Sequence, residues 1–239
     1  MNLKILSLVI IGVCILLPDV CYAFLSKDVH LLNMQNGLAD NTVSAVYKDK
    51  EGFVWFGTRN GLSRYDGRRI TNFERSRSYP SISNLKEVFD GVLAFVDNGV
   101  FSAFDLKKER FLSVVSSSGQ GIPSRGMLQR NDSLVWVISG SELHLMKRCA
   151  SKEGELRLRV QEKYTGWNNQ DNLLVAITYS SDKKSICLID EKGRIILLDA
   201  TNLNSFRVID LGRIGSLSVN SVLYDDGRIW ISTIAHGVI

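Results

Sequence analysis

The chain has 239 residues, 45% of them hydrophobic, and its 29 basic and 25 acidic side chains give a formal charge of +4. With three prolines and no low-complexity tract, this composition excludes a disordered chain and supplies enough apolar material for a packed core. The basic pairs Arg68-Arg69, Lys107-Lys108, Lys147-Arg148 and Lys183-Lys184 mostly stand beside Asp or Glu near turns. That is the pattern of solvated loop charge, so no nucleic-acid partner is expected.

The first 23 residues read as a secretory signal peptide. Lys4 supplies a positive charge, residues 5–17 are a nearly unbroken apolar run, Pro18 ends it, and Cys21-Tyr22-Ala23 is a small-x-small cleavage site. A retained N-terminal anchor is the alternative, but the run is short for a membrane span. Neither early cysteine sits in a good lipobox. The mature chain is therefore expected to start near Phe24 and to lie outside the cytoplasm.

Residues 42–73 are the clearest structural unit. Residues 42–47 and 53–57 are rich in Val, Thr and aromatic side chains, and a charged turn ending in Gly52 separates them. Arg59-Asn60-Gly61 and Asp66-Gly67 mark two further turns, since tight hairpins favour residues that accept positive φ. Four antiparallel strands in about 32 residues have the size of one propeller blade.

The unit recurs. Aligned on Trp55, the equivalent positions are Leu93, Trp136, Cys187 and Trp230, at steps of 38, 43, 51 and 43 residues. Their mean of about 44 is a propeller period. The predicted fold is an all-β propeller of four-stranded antiparallel blades, with units at about 42–74, 84–116, 126–162, 172–210 and 218–239. Each small sheet cannot bury both faces alone, so neighbouring blades must cover one another. Trp55, Trp136 and Trp230 are read as packing between blades.

Of four cysteines, only Cys149 and Cys187 would survive signal removal. A bridge between them is open in an oxidising compartment, although Cys187 lies in an apolar run and reads better as a small buried hydrophobe. His30, His144 and His236 have no partners at metal-ligand spacing. No metal or cofactor is expected.

In a propeller, the loops from each outermost strand to the next blade share a face with the loops between second and third strands. That face carries Arg59-Asn60, Asp97-Asn98, Glu191-Lys192 and the segments 74–84, 116–126 and 164–172. The last places Trp167 beside Asn168, Asn169 and Asp171, so these four with Arg59 and Asn60 are the candidate ligand-binding residues. An exposed indole among amides and a carboxylate suits a sugar, which offers an apolar ring face and many hydroxyls. Alternatively, Trp167 folds back over the sheet and the Asn and Asp residues are solvated turn formers.

Asn36-Gly37-Leu38, Asn41-Thr42-Val43, Asp49, Gly52, Val54-Trp55-Phe56-Gly57-Thr58, Asn60-Gly61-Leu62 and Arg64-Tyr65-Asp66-Gly67 together resemble the two-component-regulator propeller repeat. Residues 219–237 resemble a second, partial copy, while the middle units agree only in spacing. The resemblance implies the periplasmic sensor region of a hybrid two-component system, a histidine kinase joined to response-regulator parts, that detects oligosaccharides in polysaccharide-degrading bacteria. In that family two seven-bladed propellers and a β-sandwich precede a membrane helix and the kinase. On that comparison the chain is expected to be a fragment of about four and a half blades of seven, itself not an enzyme. It would meet the membrane only through downstream segments, and a homodimer of the full-length protein is compatible with this. Residues 28–32 are then a candidate closing strand.

Two other classes remain. An exported propeller lyase or hydrolase would need two carboxylates facing each other, whereas Asp49, Asp66, Asp132, Asp182 and Asp225 mostly occupy turns of the opposite face. A protein-interaction propeller is the third reading.

Overall fold

A computed structural model of the chain describes residues 31–74, 82–167, 172–211, 219–233 and 237–238. The signal segment, most of the candidate closing strand, and Asn168, Asn169 and Asp171 lie outside the described residues. The chain divides into two compact units, Met1–Asn33 and Met34–Ile239. The described residues of the first, 31–33, carry no helix or strand.

The second unit is built by its turns. Asn98 and Gly99 take φ of 50° and 78°, and Asp226 and Gly227 take 46° and 72°. Positive φ at both central residues is type I′ geometry, whose twist matches that of the strands it joins. Carboxylates shape other turns. Asp66 Oδ1 accepts the N–H groups of Arg68 and Arg69 at 2.7 and 2.6 Å, and Asp105 Oδ1 accepts those of Lys107 and Lys108, both at 3.0 Å. These acids are turn formers, which explains their place in the repeat.

After a 3-10 turn at Met34–Asn36, the strands follow one another as antiparallel meanders. The first blade is β1 (Val43–Lys48), β2 (Val54–Thr58), β3 (Gly61–Tyr65) and β4 (Ile70–Phe73). The second is β5 (Ile82–Phe89), β6 (Val92–Asp97), β7 (Val100–Asp105) and β8 (Arg110–Ser116). The third is β9 (Gly126–Asn131), β10 (Leu134–Ser139), β11 (Glu142–Cys149) and β12 (Glu155–Tyr164). The fourth is β13 (Leu174–Tyr179), β14 (Ser185–Asp190), β15 (Ile195–Asp199) and β16 (Phe206–Ile209). A fifth holds β17 (Val219–Asp225), β18 (Arg228–Thr233) and β19 (Gly237–Val238). The first strands of successive blades are neighbours, β1 beside β5, then β9, β13 and β17. This is the arrangement of propeller blades around an axis.

Four apolar layers hold the blades together. Trp55 and Leu62 meet Leu93, Phe95 and Phe104 between blades one and two. Val92, Ala94 and Phe101 meet Val135, Val137 and Met146 between two and three. Trp136 and Leu145 meet Ile186, Leu188 and Ile196 between three and four. Cys187 and Ile189 meet Ile231 between four and five. Full burial of each such large side chain contributes about 1.5–3 kcal/mol, so the layers, rather than any one sheet, carry the stability.

Two findings correct the sequence reading and a third answers a question it left open. First, Trp55, Trp136 and Cys187 all face the following blade, but Leu93 faces the preceding one. The alignment in blade two is therefore one residue out, and a one-residue slip moves a strand's side chains to the other face. Every residue of β6 is buried, so its sequence carries no alternation to fix the register. Second, Trp230 is 46% exposed, with Leu223 and Val238 exposed beside it on the fifth blade. No described blade covers that face. Third, Cys149 and Cys187 are free thiols, Cys149 half-buried and Cys187 buried. Burial in the layer between blades four and five pushes the Cys187 thiol up to about 12.

Blades two and three also share a seam. The outermost strands β8 and β12 pair in parallel from Ser113↔Glu155 to Ser116↔Leu158, giving one eight-stranded sheet. β12 is ten residues long, two more than β11. It reaches β8 and places Leu156 and Leu158 in the layer between the blades. The order within each blade is unchanged.

Candidate functional site

The inner strands all begin at the end of the molecule where the β2–β3 type of turn lies, since Val43 at the start of β1 pairs with Thr58 at the end of β2. Near those beginnings four of the five inner strands bulge. Ser44 in β1 and Val175 in β13 are extra residues opposite one partner step. In β5, Asn84 and Leu85 fall between the pairs Ser83↔Val96 and Lys86↔Ala94, and Asn84 takes a φ of 52°. β17 shifts register between Val219 and Ser221. A bulge bends its strand and re-aims side chains, and here the bulges gather around the axis.

They enclose a cavity of about 360 Å³ whose wall includes Ser44, Asn84, Lys86, Val175, Ile177 and Ser221, drawn from four inner strands. The Ser44 hydroxyl bonds the carbonyls of Gly57, at 3.2 Å, and Ile82, tying blade one to blade two. Asn84 Nδ2 donates to the Arg125 carbonyl at 3.0 Å, which fixes the β5 bulge against the entry to β9. Ser221 and Ser232 hydroxyls are 2.7 Å apart. Lys86 is the one ionisable side chain among the described residues of the wall, and burial holds its ammonium below the ordinary lysine range. Hydroxyls, one amide, one cation and an aliphatic flank can bind and orient a polar ligand. The described residues of the wall include no carboxylate.

A second cavity of about 410 Å³ lies among Asp49, Phe53, Trp55, Arg64, Lys107 and Glu109. It is larger, but its Asp49, Lys50, Arg64 and Lys107 side chains are already engaged. Arg64 Nη1 is 2.6 Å from Glu109 Oε1, and its guanidinium lies 4.9 Å from the Phe53 ring centre and 5.5 Å from that of Trp55. Asp49 accepts the N–H groups of Glu51 and Phe53 and the Trp55 indole at 2.8 Å. These contacts brace blades one and two, so the axial cavity is the better site.

The sequence-predicted residues divide. Arg59 and Asn60 are exposed in the β2–β3 turn, at the same end as the axial cavity but outside its wall. Asn60 Nδ2 donates to the Ala39 carbonyl at 3.2 Å, and the Arg59 N–H to that of Thr42 at 3.3 Å. Trp167 is not the exposed indole that the polar loop suggested. It is 5% exposed, packs in the layer between blades three and four, and meets the Phe206 ring edge-on at 6.3 Å. Apolar partners on both blades outweigh the polarity of its sequence neighbours, although its Nε1 has no hydrogen-bond partner among the described residues. Sequence reasoning missed Ser44, Asn84, Lys86 and Ser221. Nothing in the sequence marked them: Lys86 stands beside Glu87 in a half-polar strand and reads as a solvent-facing lysine.

Residues 37–60 match the family model described as two component regulator propeller. The chain carries a two-component-regulator propeller repeat. This repeat runs through β1 and β2 into the next turn, so it includes Ser44 at the axis and Trp55 in the first interblade layer. No curated protein matches the chain. Among solved structures, it is similar to the extracellular domain of BT3049 of B. thetaiotaomicron, described as a hybrid two component system. The TM-score is 0.58 at 21% identity, over 87% of this chain and 30% of that one. It is similar also to the extracellular domain of BT4673 of the same organism, described as a one component system, with a TM-score of 0.63 at 15% identity over 89% and 33%. The β-propeller domain of Cps50 (Swd1) from Myceliophteria thermophila gives 0.55 at 14% identity over 80% and 62%. The chain thus spans about a third of the length of the two extracellular domains. The shared property of all three is the propeller fold. Among the described residues, no helix is long and apolar enough to cross a membrane.

Proposed function

We propose that the chain is the ligand-sensing propeller of an exported two-component signalling protein and that it binds an oligosaccharide at the axial cavity. The observation that carries the reading is the cavity wall itself. Among its described residues it offers hydroxyls, an amide and aliphatic surface, and none of the facing carboxylates that glycoside hydrolysis requires. The regulator repeat contributes one wall of that cavity through Ser44, which supports placing the sensing function there. The apolar face of Trp230, Leu223 and Val238 suits cover by a further blade, which favours a piece of a longer sensor. Signalling would need the ligand to favour one arrangement of that sensor over another, because equal affinity for both shifts nothing.

The test is calorimetric titration of the chain with a panel of defined oligosaccharides, each recovered afterwards for mass analysis. Saturable binding with every sugar returned intact is the expected result. Shortened or unsaturated products would establish a propeller enzyme instead, and heat from none of the sugars would end the oligosaccharide reading.

A further inference from the structure

Resting on that reading, we infer that the ligand is anionic: a carboxylate- or sulfate-bearing sugar whose negative group pairs with Lys86 in the axial cavity. The exposed lysines described are either paired or, like Lys48, Lys147 and Lys183, open to solvent, whereas Lys86 is half-buried and unpaired. Lys50, Lys107, Lys108, Lys163 and Lys184, each more than half exposed, have a carboxylate within 3.8 Å. Among the described residues, Lys86 forms no ion pair and no Asp or Glu lines the cavity with it. Its neighbour Glu87 is engaged elsewhere, 3.7 Å from Lys50 and accepting the Gly91 N–H at 2.9 Å.

Removing an ammonium from water without a counter-charge is unfavourable, and a fold tolerates it where another requirement is met. Geometry indicates the requirement. The bulge that aims Lys86 is built by Asn84 in a left-handed conformation, held by its bond to the Arg125 carbonyl. That is a strained element of structure maintained around one cation. An incoming carboxylate or sulfate would supply the missing charge in a partly dehydrated site, where a charge-assisted hydrogen bond is strong. Ser44 and Ser221 hydroxyls lie in the same wall for the sugar's own hydroxyls, and Val175 and Ile177 offer apolar surface to a ring face.

The experiment titrates the full chain with trigalacturonate, a sulfated disaccharide and neutral galactotriose, at low and high salt. Lys86→Met and Lys86→Arg are tested alongside, and thermal melts verify folding. An acidic probe should bind, weaken with salt, and lose about tenfold or more in affinity in Lys86→Met, with Lys86→Arg retaining most of it. Whether trigalacturonate or the sulfated sugar binds tells uronate from sulfate recognition. If galactotriose binds as well as the acidic probes and Lys86→Met changes no affinity, the anionic inference falls while the oligosaccharide reading stands. If no sugar binds, the chain's side-chain ammonium NMR signals are followed against galacturonate and sulfate. A saturable shift of the Lys86 signal keeps the anion site and removes the oligosaccharide, whereas an unmoved signal removes both.

Discussion

Trp55→Ala is expected to lower the unfolding free energy by about 3–5 kcal/mol, whereas Trp230→Ala, at an equivalent position of the repeat, should change it by no more than about 0.5 kcal/mol. Position in the array makes the difference. Trp55 is 1% exposed, with ring centres of Phe73 and Phe104 at 5.6 and 5.5 Å. Its truncation opens a cavity between two blades and also removes the indole N–H from Asp49, a carboxylate only 8% exposed. Trp230 has no described blade in front of it and is 46% exposed. Trp55→Phe separates the two contributions: it keeps most of the packing, so its cost of about 1–3 kcal/mol reports the stranded carboxylate. Urea denaturation followed by circular dichroism reads all three. Similar losses for Trp55→Ala and Trp230→Ala would show that the interblade layers do not hold the fold as described.

Gly61→Ala should cost about 2–4 kcal/mol, a large effect for one methyl group on a turn. Gly61 has a φ of 122°, and a Cβ there would lie 2.6 Å from the Phe73 carbonyl oxygen. The obstacle is main chain of the adjacent strand β4, which cannot rotate away. Gly99 is the control. Its φ is 78°, but a Cβ would meet nothing within 4 Å, so Gly99→Ala carries only the conformational cost of about 1–2 kcal/mol. Equal destabilisation by the two alanines would mean that the contact with Phe73 yields.

The fold was legible because its punctuation is chemical. Asn98-Gly99 and Asp226-Gly227 announce hairpins through residues that accept positive φ, and the tryptophans recur in alternate blades. Facing was less legible. β6 is apolar on both sides, so sequence could not say that Leu93 points backward and Val92 forward. The site was legible only as an end of the molecule. Arg59 and Asn60 stand at that end, but the cavity wall comes from strand interiors, re-aimed by bulges that leave no residue signature at Ser44 or Val175. Lys86 reads in sequence as an ordinary solvent-facing lysine. At Trp167 the sequence left two readings open, and the one in which the indole folds back over the sheet holds, through apolar partners that the fourth blade brings from afar, Phe206 among them.

The parallel pairing of β8 with β12 changes how the molecule should come apart. Elsewhere adjacent blades meet chiefly through side chains, but here main-chain hydrogen bonds cross the boundary, so blades two and three form a single opening unit. Native-state hydrogen exchange should find the amides of β5 to β12 released at one common free energy, apart from those of β1 to β4. Clearly separate values for β5–β8 and β9–β12 would show that the crossing bonds do not couple them. A double-width segment of this kind is a stiff lever within the array, able to pass a displacement at its inner edge out to the rim.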